Sequence, residues 1–355
     1  AGNHAQGVAL SASFLKCRAV IVMPLTTPIM KIKAVESHKA EVILFGENYD
    51  ECYEKALEIS KAENLTFIHP FDDPEVIAGQ GTIGLEIVRQ SSTQPDFIYI
   101  AVGGGGLIAG VSAYVKAIWP ETKIIGVEPE DACAMTLSLK ADKPIELDSV
   151  GLFADGVAVR KVGNRTFSIC KKNVDQMITV NTDEICAAIK DVFEDTRSIL
   201  EPAGALAIAG LKKHIVNKQL KNKKLIAIAC GANMNFERLR FVAERAELGE
   251  EREAMLSVGI PEKAGSLKLL CKSLGSRNLT EFSYRMSEGR TAQIFLGIEV
   301  SDINDRKFLI KEINNKGFDC HDLSNDELSK VHLRHMVGGR LPSSINQINK
   351  GEYKE

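Results

Sequence analysis

The chain has 355 residues, of which 45% are hydrophobic and 26% charged, which is ordinary for a globular protein of two or three domains. Its formal net charge of -3 leaves no basic excess for nucleic acid or an anionic membrane surface, and no apolar run is long enough to cross a bilayer. The eight cysteines are scattered, without CxxC pairs or metal-ligand spacing, so we expect reduced intracellular thiols and no metal site.

The first two-thirds of the chain alternates short apolar runs with amphipathic stretches. The runs are continuous and rich in β-branched residues, which is typical of strands buried on both faces of a parallel sheet. We predict strands at residues 18–23, 41–45, 66–69, 97–102, 123–127, 177–180 and 224–229. Between them lie helical patterns, two of which follow a capping residue, Asn48 or Thr182. This order predicts an α/β domain with a wound parallel sheet.

The pattern changes after Gly249, where a charged segment at residues 249–255 predicts a linker. Strands and helices then follow in the order strand, helix, strand, strand, helix, strand, at residues 254–261, 265–275, 278–286, 292–300, 305–317 and 318–324. That βαββαβ order predicts a ferredoxin-like unit. Residues 341–355 are polar and without period, which is typical of a loose tail.

Four glycines stand between the strand at 97–102 and the helix that follows it. Gly103, Gly104, Gly105 and Gly106 remove every Cβ from this turn, so backbone N–H groups can converge on an anion at a helix N-terminus. The alternative is a tight turn where sheet and helix pack closely. The spacing is not GxGxxG and no acidic residue follows at the distance that a ribose needs, which argues against a dinucleotide site.

Two further signals are weaker when taken alone. Asn3, in AGNHAQG at residues 1–7, stands at the start of a predicted helix, and its alternative role is simply to cap that helix. Cys230, in CGAN at 230–233, follows the last strand of the first region, where a side chain points into the ligand-binding crevice of an open α/β sheet. Its alternative role is that of a small buried thiol.

In this order on an α/β frame, AGNHAQG, VGGGGL and CGAN resemble the fold-type-II pyridoxal 5'-phosphate (PLP) enzymes. This group includes threonine and serine dehydratases, serine racemase and tryptophan synthase β. The resemblance runs from residue 1 to about 245 and includes residues 151–159 and 201–207. Beyond it, residues 236–253, the ferredoxin-like segment and LRHMVGGR at 333–340 resemble the long biosynthetic threonine deaminases.

The resemblance implies three segments and a set of cofactor contacts. Residues 1–245 would be a tryptophan synthase β-like catalytic domain that binds PLP, 252–326 an ACT-like regulatory domain, and 327–355 a tail. The four glycines and Leu107 would hold the cofactor phosphate through backbone amides. Asn3 would bind the pyridine 3′ oxygen, and Cys230 would lie against the pyridine nitrogen. Glu201 is left out of this set, because Glu-Pro is also an ordinary helix start.

The implied reaction is that of a threonine ammonia-lyase. L-threonine, or alternatively L-serine, would be the substrate, and 2-oxobutanoate and ammonia would be the products from threonine. The resemblance also implies feedback by isoleucine, a homo-oligomer, and a location in the cytoplasm, or in a plastid if the source is a plant.

The sequence departs from the family at its front. The family carries its Schiff-base lysine in a motif of the form S-F-K-x-R-G upstream of the asparagine loop, and no Ser-Phe-Lys occurs in this chain; the nearest string is Ser13-Phe14-Leu15-Lys16. The second ferredoxin-like unit of the long biosynthetic threonine deaminases is also missing from this chain. We therefore expect a fragment with no catalytic residue of its own, inactive by itself. Two alternatives stay open: a non-catalytic partner protein, and a different fold-type-II catalyst such as a serine dehydratase or racemase.

Overall fold

The computed structural model describes residues 2–47, 49–236, 238–250, 252–286 and 291–326. The predicted cap Asn48, the motif at 333–340 and the predicted tail at 327–355 lie outside these residues. The described parts of the chain form two compact units. The first comprises Ala1–Asn181 and Thr196–Asn235, and the second comprises Thr182–Asp195 and Phe236–Glu355. The predicted domain boundaries at 245 and 252 remain a prediction.

The first unit alternates helices and strands along the chain. Its strands are β1 (Val20–Met23), β2 (Glu41–Leu44), β3 (Phe97–Ala101), β4 (Lys123–Pro129), β5 (Gln176–Val180) and β6 (Leu225–Ala227). Its helices are α1 (Asn3–Leu15), α2 (Ile29–Glu36), α3 (Tyr49–Ala62), α4 (Pro74–Gln90), α5 (Gly106–Ile118), α6 (Ala134–Ala141), α7 (Asn164–Asn173) and α9 (Pro202–Lys218).

Every strand pairing in the first unit is parallel. β1 pairs with β2, and the remaining strands follow the order β5-β4-β3-β6. β3 and β4 are buried almost throughout and, with α5, form the core, as the continuous apolar runs predict. β2 is less enclosed, with Glu41 and Leu44 exposed. The predicted α/β domain with a parallel sheet is thus confirmed.

The predicted strand at residues 66–69 is wrong. The segment has no strand assignment, and the ring of Phe67 packs edge-on against Tyr53 of α3, with the ring centroids 5.4 Å apart. The chain then turns, because Nδ1 of His69 accepts the N–H groups of Phe71 (3.2 Å) and Asp72 (2.8 Å). A short apolar run gives the same sequence signal whether or not a neighbouring strand pairs with it.

The second unit has the predicted ferredoxin-like order. Its elements are α8 (Thr182–Thr196), α10 (Arg238–Gly249), β7 (Glu253–Pro261), α11 (Ser266–Leu274), β8 (Leu279–Met286), β9 (Thr291–Glu299), α12 (Ile303–Asn315) and β10 (Asp319–Asp322). The strands from β7 onwards form an antiparallel sheet in the order β10-β7-β9-β8. Alternate residues of β7 and β9 are buried in one apolar cluster with Leu270 and Leu309 of the two helices.

Helix α8 differs from its prediction at both ends. Thr182 is its first helical residue rather than the cap in front of it. The helix ends at Thr196 instead of continuing to residue 200, because Arg197 takes a positive φ of 60°. Within the second unit, Nε of Arg245 on α10 lies 3.0 Å from Oδ1 of Asp183 on α8. Among the described helices none is long and apolar enough to span a membrane.

Candidate active site

The glycine run forms the turn between β3 and α5. β3 ends at Ala101, and α5 begins at Gly106, one residue earlier than the pattern predicts. Gly105 precedes the helix at φ 94° and ψ 1°, a left-handed conformation that glycine adopts at little cost. The turn lies at the carboxyl end of a central parallel strand, which is where open α/β sheets bind ligands.

In the part of the chain that the structure describes, the backbone N–H groups of this turn have no protein acceptor. Across the described residues, no hydrogen bond is recorded from the N–H groups of Gly103 to Leu107, although Gly104, Gly105 and Gly106 are buried. Buried N–H groups are rarely left without an acceptor. These lie at a helix N-terminus, where the helix dipole also favours negative charge. The turn therefore has the chemistry of an anion site.

Close packing also requires these glycines. A Cβ on Gly103 would come within 2.9 Å of the Val157 backbone, and one on Gly104 within 2.3 Å of the Phe71 ring. A Cβ on Gly105 would meet Met135 at 2.7 Å and Thr166 at 2.9 Å. The tight-turn alternative and the anion-site prediction are thus compatible, since the packing holds in place the backbone that presents the N–H groups.

Asn3 lies in α1, but its side chain does not cap that helix. Its Nδ2 donates to Oε1 of Glu201 at 2.7 Å, and its Oδ1 accepts from Nδ2 of Asn233 at 3.1 Å. The helix-cap alternative is therefore wrong, and the side chain instead joins three distant segments of the first unit.

Glu201, which is not in the set of site residues predicted from the sequence, lies in this cluster through its hydrogen bond with Asn3. It stands directly before α9 with Pro202 at the first turn, as an ordinary helix start would, yet its side chain makes no cap and is only 6% exposed. Burial raises the pKa of its carboxyl, and the hydrogen bond from Asn3 opposes this. A sequence signal was present in the small residues opposite it: Gly231 has φ +81°, and a Cβ there would lie 2.2 Å from Oε1 of Glu201.

Cys230 follows β6 and is half-buried beside this cluster. Its N–H donates to the carbonyl of Gly204 at 3.4 Å, and a Cβ on Gly204 would lie 1.7 Å from the Cys230 carbonyl oxygen. Burial, together with the negative charge of Glu201, raises the pKa of the Cys230 thiol above its ordinary value. The thiol is therefore neutral near pH 7.

A short turn at Asp155–Val157 joins the glycine turn to the cluster around Asn3, Glu201 and Cys230. Val157 packs on Gly103, and a Cβ on Gly156 would lie 3.6 Å from Oε1 of Glu201. Asp155 pairs with Nζ of Lys31 at 3.2 Å, and both charges act on the Glu201 carboxyl. The predicted site residues are thus neighbours in one unit.

Two stretches of the chain match known protein families. Residues 1–231 match the pyridoxal-phosphate dependent enzyme family, and residues 244–333 match the C-terminal regulatory domain of threonine dehydratase. The L-threonine dehydratase biosynthetic IlvA of Burkholderia multivorans is 53% identical over 350 residues, which cover 98% of this chain and 69% of that protein.

This chain belongs to the PLP-dependent threonine dehydratase family. The Escherichia coli relative, also L-threonine dehydratase biosynthetic IlvA, is 48% identical over 96% of this chain and 66% of its own length. The structure of processed threonine deaminase isoform 2 from Solanum lycopersicum superposes with a TM-score of 0.68 at 52% identity, covering 69% of this chain and 71% of that one. The chain thus spans about two-thirds of the length of these dehydratases.

The residues present fit the cofactor of the family. The acceptor-free N–H groups at the glycine turn match an anionic phosphate. Nδ2 of Asn3 carries two hydrogens, so one remains for a ring substituent while the other bonds Glu201. A neutral thiol at Cys230 matches an unprotonated ring nitrogen.

Replacing Glu201 with Gln should lower the pKa of the Cys230 thiol. The substitution keeps an oxygen for Asn3 but removes the negative charge that disfavours the thiolate. We expect the pH midpoint of Cys230 alkylation, followed by peptide mass spectrometry, to move to lower pH. Glu146→Gln, at an exposed glutamate paired with Arg160, is the matched control and should leave the midpoint in place. An unchanged midpoint in Glu201→Gln would show that the two side chains do not interact.

Proposed function

We propose that this protein carries the cofactor-binding region of a threonine ammonia-lyase, which converts L-threonine to 2-oxobutanoate and ammonia for isoleucine biosynthesis. The observation that carries the proposal is the set of N–H groups at Gly103–Leu107, which donate to no acceptor among the described residues although Gly104, Gly105 and Gly106 are buried. The turn at Asp155–Val157 connects them to Asn3, Glu201 and Cys230. The match to the threonine dehydratase regulatory domain favours threonine dehydration over a serine racemase activity.

Each group has a distinct task in this proposal. The N–H groups of Gly103, Gly104, Gly105, Gly106 and Leu107 hold the cofactor phosphate without a charged side chain. Asn3 donates to the pyridine 3′ oxygen, and Glu201 orients the Asn3 amide through its 2.7 Å hydrogen bond. Cys230 faces the pyridine nitrogen.

The neutral thiol of Cys230 bears on the type of reaction. PLP, when bound, supplies the electron-accepting ring that acidifies the Cα proton of an amino acid. A thiol with a raised pKa is a poor proton source for the ring nitrogen, so Cys230 leaves that ring a moderate electron acceptor. Loss of the β-hydroxyl is then favoured over long-lived carbanion chemistry such as transamination.

The base that removes the Cα proton is absent from these 355 residues. Ser13-Phe14-Leu15 lies in α1 and Lys16 directly follows that helix, so this lysine comes after Asn3 in the chain rather than before it. Lys31 is the lysine whose charge reaches Glu201, but it is paired with Asp155. We propose that this chain binds the cofactor without turning threonine over.

The 355-residue chain, saturated with PLP, should form no 2-oxobutanoate from L-threonine above the rate of free PLP, because it has no lysine amine placed as base and nucleophile. A longer protein, in which a segment that carries the family motif S-F-K-x-R-G is joined before Ala1, should restore turnover. Borohydride reduction followed by peptide mapping would show which lysine holds PLP. Substantial turnover by the 355-residue chain would contradict the proposal, and PLP reduced onto Lys31 would then identify the lysine responsible.

We also propose that residues 252–326 form an ACT-like sensing unit for isoleucine, in a protein that assembles as a homo-oligomer. The ferredoxin-like order and the regulatory-domain match support this assignment. Allosteric control requires a second site whose ligand prefers one global state of the enzyme.

Deleting residues 252–355 from the active, longer protein should abolish inhibition of threonine turnover by L-isoleucine. Isoleucine titration of both proteins measures the inhibition, and calorimetry measures binding; D-isoleucine serves as the control ligand. Inhibition that survives the deletion would place the sensor elsewhere. If the undeleted protein shows neither binding nor inhibition, the unit has no isoleucine site.

A further inference from the structure

The first turn of α7 is capped by a residue from a distant segment. Gly163 precedes the helix and has no side chain to offer. Asp72 takes its place: Oδ2 accepts the N–H of Asn164 at 3.1 Å, and Oδ1 accepts those of Arg165 at 2.9 Å and Thr166 at 3.1 Å. A Cβ on Gly163 would lie 2.3 Å from Oδ1 of Asp72. The start of α7 is therefore fixed by one carboxylate.

The segment that supplies Asp72 also packs on the glycine turn. Nδ1 of His69 accepts the N–H of Asp72 at 2.8 Å and so holds the bend in which Phe71 and Asp72 lie. The Phe71 ring covers Gly104, and its Cβ lies 3.1 Å from the position of a Cβ on Gly106. Of these two neighbouring residues, Asp72 thus contacts the start of α7 and Phe71 contacts the glycine turn.

The carbonyl of Gly104 is held by the same turn of α7. Oγ1 of Thr166, which is fully buried, donates to it at 2.7 Å, and the N–H of Gly163 donates at 3.3 Å. Oγ1 also lies 3.1 Å from the Gly163 carbonyl, but a hydroxyl has one proton, and the shorter bond is the one to Gly104.

Because the carbonyl of Gly104 is held by hydrogen bonds, the geometry of the peptide bond determines where the next N–H group points. In a planar trans peptide the C=O of one residue and the N–H of the next point in opposite directions. The C=O of Gly104 points at α7, so the N–H of Gly105 points away from α7. That N–H is one of the acceptor-free donors of the glycine turn.

We propose that Thr166 is a positioning residue that aims the phosphate-binding N–H groups of the glycine turn, with Asp72 acting through the first turn of α7. This inference rests on the proposed function, since it takes the glycine turn as the site of the cofactor phosphate. Thr166 does not touch the phosphate itself.

The test compares two ligands that differ only in the phosphate. 4-Deoxypyridoxine 5'-phosphate and 4-deoxypyridoxine lack the aldehyde, so neither reacts with surface lysines. The ratio of their Kd values, measured by calorimetry on the full chain, isolates the phosphate contribution. We expect Thr166→Val to reduce the preference for the phosphorylated ligand about 3- to 10-fold, the effect of one hydrogen bond. The Kd of the unphosphorylated ligand should not change, and Thr166→Ser should retain the preference.

Thr136→Val is the matched control. It also removes a buried threonine hydroxyl from the first turn of a helix, but that hydroxyl bonds Glu128 at 2.6 Å rather than the glycine turn. It should lower the melting temperature as Thr166→Val does and leave the ligand preference intact. Equal ratios for the parent, Thr166→Val and Thr136→Val would overturn the positioning role.

Two further outcomes are decisive. If Thr166→Val does not melt cooperatively, Asp72→Asn replaces it, because an amide supplies one acceptor where the carboxylate supplies two. It too should reduce the preference, and an unchanged ratio would overturn the inference. A parent chain with no preference for the phosphorylated ligand would instead refute the phosphate site, and with it the proposed function.

Discussion

The turn at Gly103–Gly106 has room for backbone but for no side chain, and the arrangement of the first unit depends on this. Phe71, Val157, Met135 and Thr166 approach the positions that Cβ atoms would occupy. Their approach makes the turn rigid and buries its N–H groups without giving them protein acceptors. Buried donors without acceptors are costly, at about 1–3 kcal/mol each. An anionic ligand offsets that cost, so the packing and the binding chemistry arise from the same absence of side chains.

A second constraint operates where α9 meets the loop after β6. Gly204 lets the Cys230 backbone approach, and Gly231 leaves space for the buried carboxyl of Glu201. Glu201 then binds Asn3 at 2.7 Å, and burial together with the charge of Glu201 raises the pKa of the Cys230 thiol. These two glycines thereby allow the positions of the polar groups proposed to contact the cofactor ring. The four glycines of the turn do the same for the N–H groups proposed to bind its phosphate.

Local sequence patterns predicted the elements well where burial and periodicity agree. The runs that became β3 and β4 are continuous and apolar, and the strands from β7 to β10 have their helices between them in the predicted order. The strand prediction at 66–69 was wrong because a strand needs a neighbouring strand to pair with, and the apolar run does not show whether one is present. The predicted end of α8 was wrong because Arg197 takes a left-handed conformation, which an arginine in the sequence does not predict.

The site was predictable only as separate motifs. Asn3, the glycines and Cys230 could be singled out because each stands at the end of a strand or the start of a helix. The contacts of Glu201 and Asp72 could not be predicted, because their partners Asn3 and Thr166 lie 198 and 94 residues away in sequence. Glu-Pro before α9 is an ordinary helix start, and only burial and the hydrogen bond to Asn3 distinguish Glu201 from one.

Hydrogen exchange of the backbone amides at Gly103–Leu107, with and without PLP, shows whether the glycine turn binds the cofactor phosphate. We predict that these amides, which have no acceptor among the described residues, exchange at least about 10-fold more slowly when PLP saturates the chain. Pyridoxal, which lacks the phosphate, should protect them much less. If saturation with PLP leaves exchange at Gly103–Leu107 unchanged, the glycine turn does not bind the phosphate, which must then lie elsewhere.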